Sequence, residues 1–273
     1  MNKGDGSIFS SLLFLKNRTV PLILFFSFLL PAFARAEVNT SLWQTKKSQH
    51  FIIYYQETTD DFVNELSASA ENYYNSIVDD LGFRRFDFWS WDDRAKIYLF
   101  NNSADYLNET GGAAWSGAQV SVKRRVIKTF IGQNDFFDSI LPHELTHIIF
   151  REFVGPKTEL PLWLDEGVAC SQEKSSLISR IESAKALVKQ DAYLKFDKLF
   201  GIYNSTLIVP NVFYSESASI IVFLLKKYDR DFFLDFSRKL RDGIQWKDAI
   251  LNTYHFSNFE EMESAWEDFM LNK

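Results

Sequence analysis

Cysteine is almost missing from this chain: Cys170 stands alone among 273 residues. No intramolecular disulfide can form, so stability has to come from packing, and Cys170 itself reads as a small buried packing residue. Histidine is nearly as scarce, with four in the chain, which makes any two at a chemically meaningful spacing informative. Basic charge is also short, since 30 Lys and Arg face 36 Asp and Glu. That acidity argues against a nucleic-acid partner. The densest basic cluster outside the first 36 residues, Lys123-Arg124-Arg125, reads as a solvated turn or strand edge rather than a phosphate site. Internal repeats and low-complexity tracts are absent as well.

No apolar run reaches the about 20 residues that a membrane span needs. The nearest approach is Val20 to Phe33, interrupted by Pro21 and Pro31, preceded by Lys16 and Arg18, and followed by Ala34-Arg35-Ala36. This is the pattern of a secretory signal peptide over residues 1–36, cleaved after Ala36. Left uncleaved, the same segment would serve as a membrane anchor. Cleavage would leave 26 basic against 35 acidic residues, a net charge of −9. Export is therefore expected, with periplasm and extracellular space equally compatible, and no stable span afterwards. The sites Asn108 and Asn204 both lie in Asn-x-Thr frames and matter only where the source glycosylates.

What is present is a composition 46% hydrophobic, enough for one substantial core, so residues 37–273 are expected to form a single α+β domain. The part from 37 to 132 carries a small sheet. "QHFIIYYQ" (50 to 57) and "AKIYLF" (95 to 100) read as strands, and "AQVSVKRRVIKTFIG" (118 to 132) as a third strand or a hairpin turning near Lys123. Thr58 to Leu81 shows helical spacing, with Phe62, Leu66, Ala70 and Tyr73 on one stripe. From 133 to 195 helices dominate, and the part from 196 to 273 is several short helices. Ser257 and Glu260 stand at capping-box spacing before the last of these. "LFGIYNSTLIVPN" (199 to 211) fits strand, loop or lid.

Within "LPHELTHIIF" (141 to 150), His143 and His147 are four apart, so on a helix they project from one face about a turn apart. Glu144 is rotated to the side, where its carboxylate could reach a metal-bound water without ligating the metal. Pro142 is tolerated if it falls in the first turn, for a helix starting near Ser139, and predicts a kink if the helix starts near Asp135. Leu145, Ile148 and Ile149 would face the core, with the histidines opposite. A catalytic zinc takes three protein ligands, so a third must come from elsewhere. His50 and His255 lie in segments with no partnered ligand pattern and read as ordinary histidines. Phe153 and Phe150 occupy the positions where a metzincin needs histidine and glycine, excluding that class. "LPLWLDEGVA" (160 to 169) supplies Glu166, with eighteen residues between it and His147.

HExxH, eighteen residues, then Glu in a W-L-x-E-G-x-A frame resembles the gluzincin metallopeptidases, the frame being close to that of membrane-alanyl-type aminopeptidases. The small domain and helical tail are similar to bacterial peptidase MA-like proteins. The motifs run from His143 to Ala169, with looser similarity over most of 48–270. The resemblance implies a zincin-like fold, one Zn2+ per chain held by His143, His147 and Glu166, and Glu144 as general base acting on a metal-activated water. It also implies a tyrosine that donates to the oxyanion, Tyr214 in "VFYSESASIIVFL", with Tyr203 in reserve. Asp165 is read either as an acceptor that orients a histidine or as a solvated acid or helix cap.

The implied activity is peptide-bond hydrolysis on a peptide or protein substrate. The aminopeptidases carry an acidic motif on the strand before the zinc helix, whereas "GGAAWSGAQV" (111 to 120) has no acid, which favours an endopeptidase. Gly111, Gly112 and Gly117 would let a substrate backbone approach, or mark a flexible turn. Two alternatives remain in view: a zinc hydrolase acting on a non-peptide amide or ester, and a non-enzymatic zincin-scaffold module for binding or assembly in the cell envelope. Oligomeric state is not legible at this level.

Overall fold

Phe51, Ile53 and Tyr55 alternate with Ile52 and Tyr54, and the alternation sends the two sets to opposite faces of a strand. The computed structural model describes residues 42–83, 89, 93–112, 116–203 and 209–272. The leader with its cleavage at Ala36, the middle of the 111–120 stretch, and Asn204 with its neighbours to 208 lie outside the described residues. The strands are β1 (Gln44–Lys47), β2 (Phe51–Tyr55), β3 (Ala95–Phe100), β4 (Ala118–Ser121) and β5 (Val126–Phe130). They form one mixed sheet in the order β1-β2-β3-β5-β4.

The three inner strands are parallel, with Ile53 opposite Ile97 and Ile97 opposite Ile127. Parallel neighbours require crossovers, supplied by α1 (Asp60–Asp80) and α2 (Ser103–Thr110). Helix α1 starts where the Thr59 hydroxyl accepts the Phe62 N–H at 3.3 Å, and it buries Val63, Leu66, Ala70, Tyr73 and Ile77. Phe51, Ile53, Ile97 and Ile127 join that core, while Tyr98, Phe100 and Tyr106 form a smaller cluster with Trp43 and Tyr54. The hairpin reading of 118–132 is the one realised: β4 runs antiparallel to β5 at the sheet edge, and Arg125, in the left-handed region at φ 51°, closes the turn. Arg125 is not a free surface cation. It holds Glu152 at 2.7 and 2.6 Å, tying the hairpin to the end of the next helix.

The remainder is helical: α3 (Leu141–Val154), α4 (Leu162–Ser171), α5 (Leu177–Lys189), the short α6 (Phe196–Leu199), α7 (Pro210–Tyr228), α8 (Arg230–Arg241), α9 (Trp246–Tyr254) and α10 (Phe259–Met270). The chain is thus α+β, a small mixed sheet followed by helices. Among the described residues, no helix is long and apolar enough to cross a membrane. One detail differs from expectation at α10. Its cap is Asn258, whose Oδ1 accepts the Glu261 N–H at 2.8 Å while Glu261 Oε2 accepts the Ser257 N–H at 2.7 Å, so the box sits one residue beyond Ser257 and Glu260.

Two local features aim the helices at one point. Pro142 lies in the first turn of α3, preceded by a π-helical turn over Phe136–Ile140. A proline has no N–H to give the carbonyl four residues back. That carbonyl, of Asp138, accepts instead from Lys174 N–H at 2.7 Å and Ser175 N–H at 3.3 Å, docking the segment after α4 onto the start of α3. Second, a Cβ on Gly167 would stand 2.6 Å from the Ser217 carbonyl oxygen. Only glycine lets α4 and α7 approach so closely.

Candidate metal centre and active site

Helix α3 is buried all round, from Leu141 to Phe150, which corrects the expectation that its histidine face lies apart from the core. Helix α4 packs against it and brings Glu166 to the two histidines. His143 Nε2 and His147 Nε2 are 3.2 Å apart, and Glu166 Oε2 from α4 lies 3.5 Å from the first and 3.8 Å from the second. Ligand atoms set tetrahedrally about 2.1 Å from one ion stand about 3.4 Å from each other. The triangle therefore fits a single small cation. Beside it Glu144 is 2% exposed, and its Oε2 has no hydrogen-bond partner among the described residues. Burial raises the Glu144 pKa, against the pull of the two histidines. An orphaned buried carboxylate oxygen at a site of this composition fits a solvent molecule held there for chemistry.

The far nitrogens of both rings face carboxylates. His143 Nδ1 is 2.8 Å from Glu173 Oε1, and His147 Nδ1 is 3.4 Å from Asp165 Oδ1. An arginine stands behind each acid. Arg180 reaches Glu173 through Nε at 3.0 Å and Nη2 at 3.2 Å, and Arg151 reaches Asp165 at 3.0 and 2.8 Å. Burial alone would raise the pKa of both acids. His143 and Arg180 override it and hold Glu173 down at about 2, while His147 and Arg151 hold Asp165 well below the carboxylate range. Asp165 is thus an acceptor at a histidine, not a solvated acid or a cap.

Four carboxylates, those of Glu144, Asp165, Glu166 and Glu173, share this interior with two guanidiniums. With neutral imidazoles the balance is two negative charges, and buried charge is costly unless compensated. In the metal-free chain two imidazole protons would supply that compensation: burial lowers both histidine pKa values, but Cys170, Glu166 and Glu173 outweigh it at His143, and Asp165 and Glu166 outweigh it at His147. One divalent cation on the Nε2 atoms would supply the same two charges.

Tyr214 lies in the second turn of α7, 6% exposed, with the Arg180 guanidinium carbon 5.6 Å from its ring centroid. Burial and the charge of Glu166 raise its pKa, so the hydroxyl stays protonated and able to donate. Tyr203 is 80% exposed. Cys170 is fully buried, and its sulfur lies 3.9 Å from His143 Nδ1. Burial pushes its pKa up to about 11, keeping it a neutral thiol. His50 stands elsewhere, paired with Glu71 at 2.6 Å and stacked on Tyr74. His255 is the left-handed cap that ends α9.

Glu173, Arg180 and Arg151 were not anticipated from the sequence. Arg151 follows His147 by four and so shares its helix face, a signal that was available. Glu173 was not findable that way, because α4 ends at Ser171 and the Asp138 carbonyl places the turn that follows.

An α+β chain whose buried histidine-carboxylate group could hold a metal belongs to a recognisable class. A family model described as the Peptidase MA superfamily matches residues 93–272, about two thirds of the chain, so the chain belongs to that peptidase superfamily. A comparison with curated proteins found no match.

Proposed function

We propose that the chain is a zinc-dependent peptidase of the gluzincin type, exported by the leader at 1–36, with His143, His147 and Glu166 as ligands and Glu144 as general base. The observation that carries this reading is the convergence of three ligand-capable atoms at 3.2 to 3.8 Å beside Glu144 Oε2, which has no hydrogen-bond partner among the described residues. Family membership supports the peptidase class.

When bound, the ion supplies Lewis acidity, polarising a carbonyl and bringing the pKa of water toward about 7. Glu144 takes the water proton at its carboxylate and returns it to the nitrogen of the leaving amine. Its raised pKa suits that exchange, because the group must hold the proton between the two transfers. Tyr214 donates its O–H to the oxygen on which charge develops, an interaction strongest in the transition state. Asp165 and Glu173 accept the Nδ1 protons of the two imidazoles and so keep each Nε2 lone pair aimed inward. Strand β4 lies at the sheet edge among the described residues, where an extended peptide could add as a further strand. With no acid anywhere in 111–120 to bind a free amine, internal peptide bonds are the favoured substrate.

The test is metal content and cleavage of a mixed peptide library by the purified chain. One zinc per chain, with cleavage abolished by a chelator and restored by Zn2+, is the expected result. A folded chain that takes up no divalent metal would remove the reading. Metal uptake with cleavage of small amides or esters only would convert it to a non-peptide hydrolase.

A further inference from the structure

Two side chains among the described residues stand close to His143 Nδ1, and which one it engages sets the rotation of the ring. Glu173 Oε1 is 2.8 Å away and the Cys170 sulfur 3.9 Å away. A turn toward the thiol would swing Nε2 away from His147 and Glu166. What keeps the ring on Glu173 is the fixed plane of that carboxylate, which is gripped at both of its oxygens. Arg180 Nε meets Oε2 at 3.0 Å and Nη2 meets Oε1 at 3.2 Å, and the Ser176 hydroxyl donates to Oε2. A planar fork matched to two oxygens fixes orientation as well as charge, which a point cation does not.

The fork is itself held. Its carbon lies over the Tyr214 ring at 5.6 Å from the centroid, within the range of a cation–π contact, and the Arg180 side chain is only 14% exposed. Arg180 belongs to α5, which carries none of the three candidate ligands. The corresponding contact on the other histidine is looser, with Asp165 3.4 Å from His147 Nδ1.

We propose that Arg180 is a positioning residue for the metal centre, acting through Glu173 to hold the His143 imidazole with Nε2 facing His147 and Glu166. The inference rests on the metal-centre reading given above. It assigns a role in metal affinity to a helix outside the HExxH motif, exerted by way of Glu173.

The probe is Co2+, whose affinity is read by competition with a chelator and whose visible absorption reports ligand geometry. Wild type is compared with Arg180→Met, Glu173→Gln, the double variant and Arg180→Lys. Each of the first two is expected to weaken Co2+ binding about 10- to 100-fold and to alter the absorption bands. The double variant should be no weaker than the worse single one, since both changes cut the same link. Arg180→Lys should restore part of the affinity, having the charge but not the fork. Wild-type affinity in a folded Arg180→Met protein overturns the proposal, and so do fully additive losses. Should Arg180→Met fail to fold, Arg180→Lys decides alone, with unchanged affinity and spectrum counting against the relay. A wild-type chain that binds no Co2+ sinks the metal reading itself, an outcome distinct from binding that ignores Arg180.

Discussion

Around His143 and His147, the two acids that face the ring Nδ1 atoms each have a cation behind them. Arg180 holds Glu173 and Arg151 holds Asp165, and both acids stay ionised in the interior. Around Glu216 on α7 the chain does the reverse. Glu216 is fully buried; its Oε1 accepts the Leu194 N–H at 2.9 Å, and its Oε2 has no partner among the described residues. The other charge that bears on it is a second acid, Glu263, whose cation Lys195 stands 3.3 Å from Glu263 Oε1. Burial pushes Glu216 up to about 8, so it is a neutral acid at most working pH values. Glu173 and Asp165 are buried carboxylates paired with cations and charged, whereas Glu216, buried without a cation, is protonated and holds backbone. Only the first arrangement requires arginines.

The largest expected effect separates chemistry from architecture within the charged region. Glu144→Gln should lower peptide cleavage about 10³-fold, within the 10²- to 10⁴-fold range typical of a lost general base. Metal content and melting temperature should match wild type, because Glu144 Oε2 has no hydrogen-bond partner among the described residues to lose. Loss of metal in this variant would show that Glu144 is structural and would return the base assignment to zero.

Gly167 stands between the two regions, on α4 next to Glu166 and against the α7 backbone at Ser217, one residue from Glu216. A methyl group there meets the Ser217 carbonyl at 2.6 Å. Gly167→Ala should therefore destabilise the fold by about 1–3 kcal/mol through overpacking. It should also weaken metal binding, since α4 must shift and carries Glu166. Calorimetry and chelator competition on the same sample would check both; a stable variant with weakened metal binding would show that the helix contact sets ligand geometry alone.

Asp165→Asn is an acid-to-amide change in the paired region. It removes the charge that compensates Arg151 while keeping an oxygen for the guanidinium, so a loss of about 2 kcal/mol in folding stability is expected, short of the ~3–5 kcal/mol of a fully broken buried pair. Because Asp165 has a depressed pKa in the fold, its contribution is present above the ordinary value of 3.8 and disappears as the pH falls below it. Wild type and variant should thus converge in stability toward acid pH, as read from denaturant midpoints.

The legible part of this molecule was its local chemistry. The spacing of His143 and His147, the frame around Glu166, the helical stripe of α1 and the alternation of β2 are all short-range patterns, and the fold keeps each of them. What the sequence withheld depends on contacts between distant segments. Glu173 reaches His143 because Pro142 leaves the Asp138 carbonyl to dock residues 174 and 175, and no periodicity encodes that. Arg180 and Tyr214 meet over a guanidinium only once α5 and α7 have packed. Even the cap of α10 slipped by a residue, since Ser257, Asn258, Glu260 and Glu261 offer two overlapping boxes and geometry selects the asparagine.

Glu216→Gln is the same chemical change made in the unpaired region, and its effect should have the opposite sign. A carboxyl whose folded pKa is raised binds its proton more tightly in the native state than in the unfolded chain. Stability therefore falls as pH rises from the ordinary value of 4.5 through about 8, because unfolding lets the group ionise. An amide cannot ionise, retains an oxygen for the Leu194 N–H, and leaves the two N–H groups of its NH2 without partners where the protonated acid leaves one O–H. The variant should match wild type near pH 4 and exceed it by about 1–2 kcal/mol at pH 8, with a flatter profile of denaturant midpoint against pH. A parallel profile, or a loss at pH 8, would mean that Glu216 is ionised and compensated after all, and the contrast between the two regions would collapse.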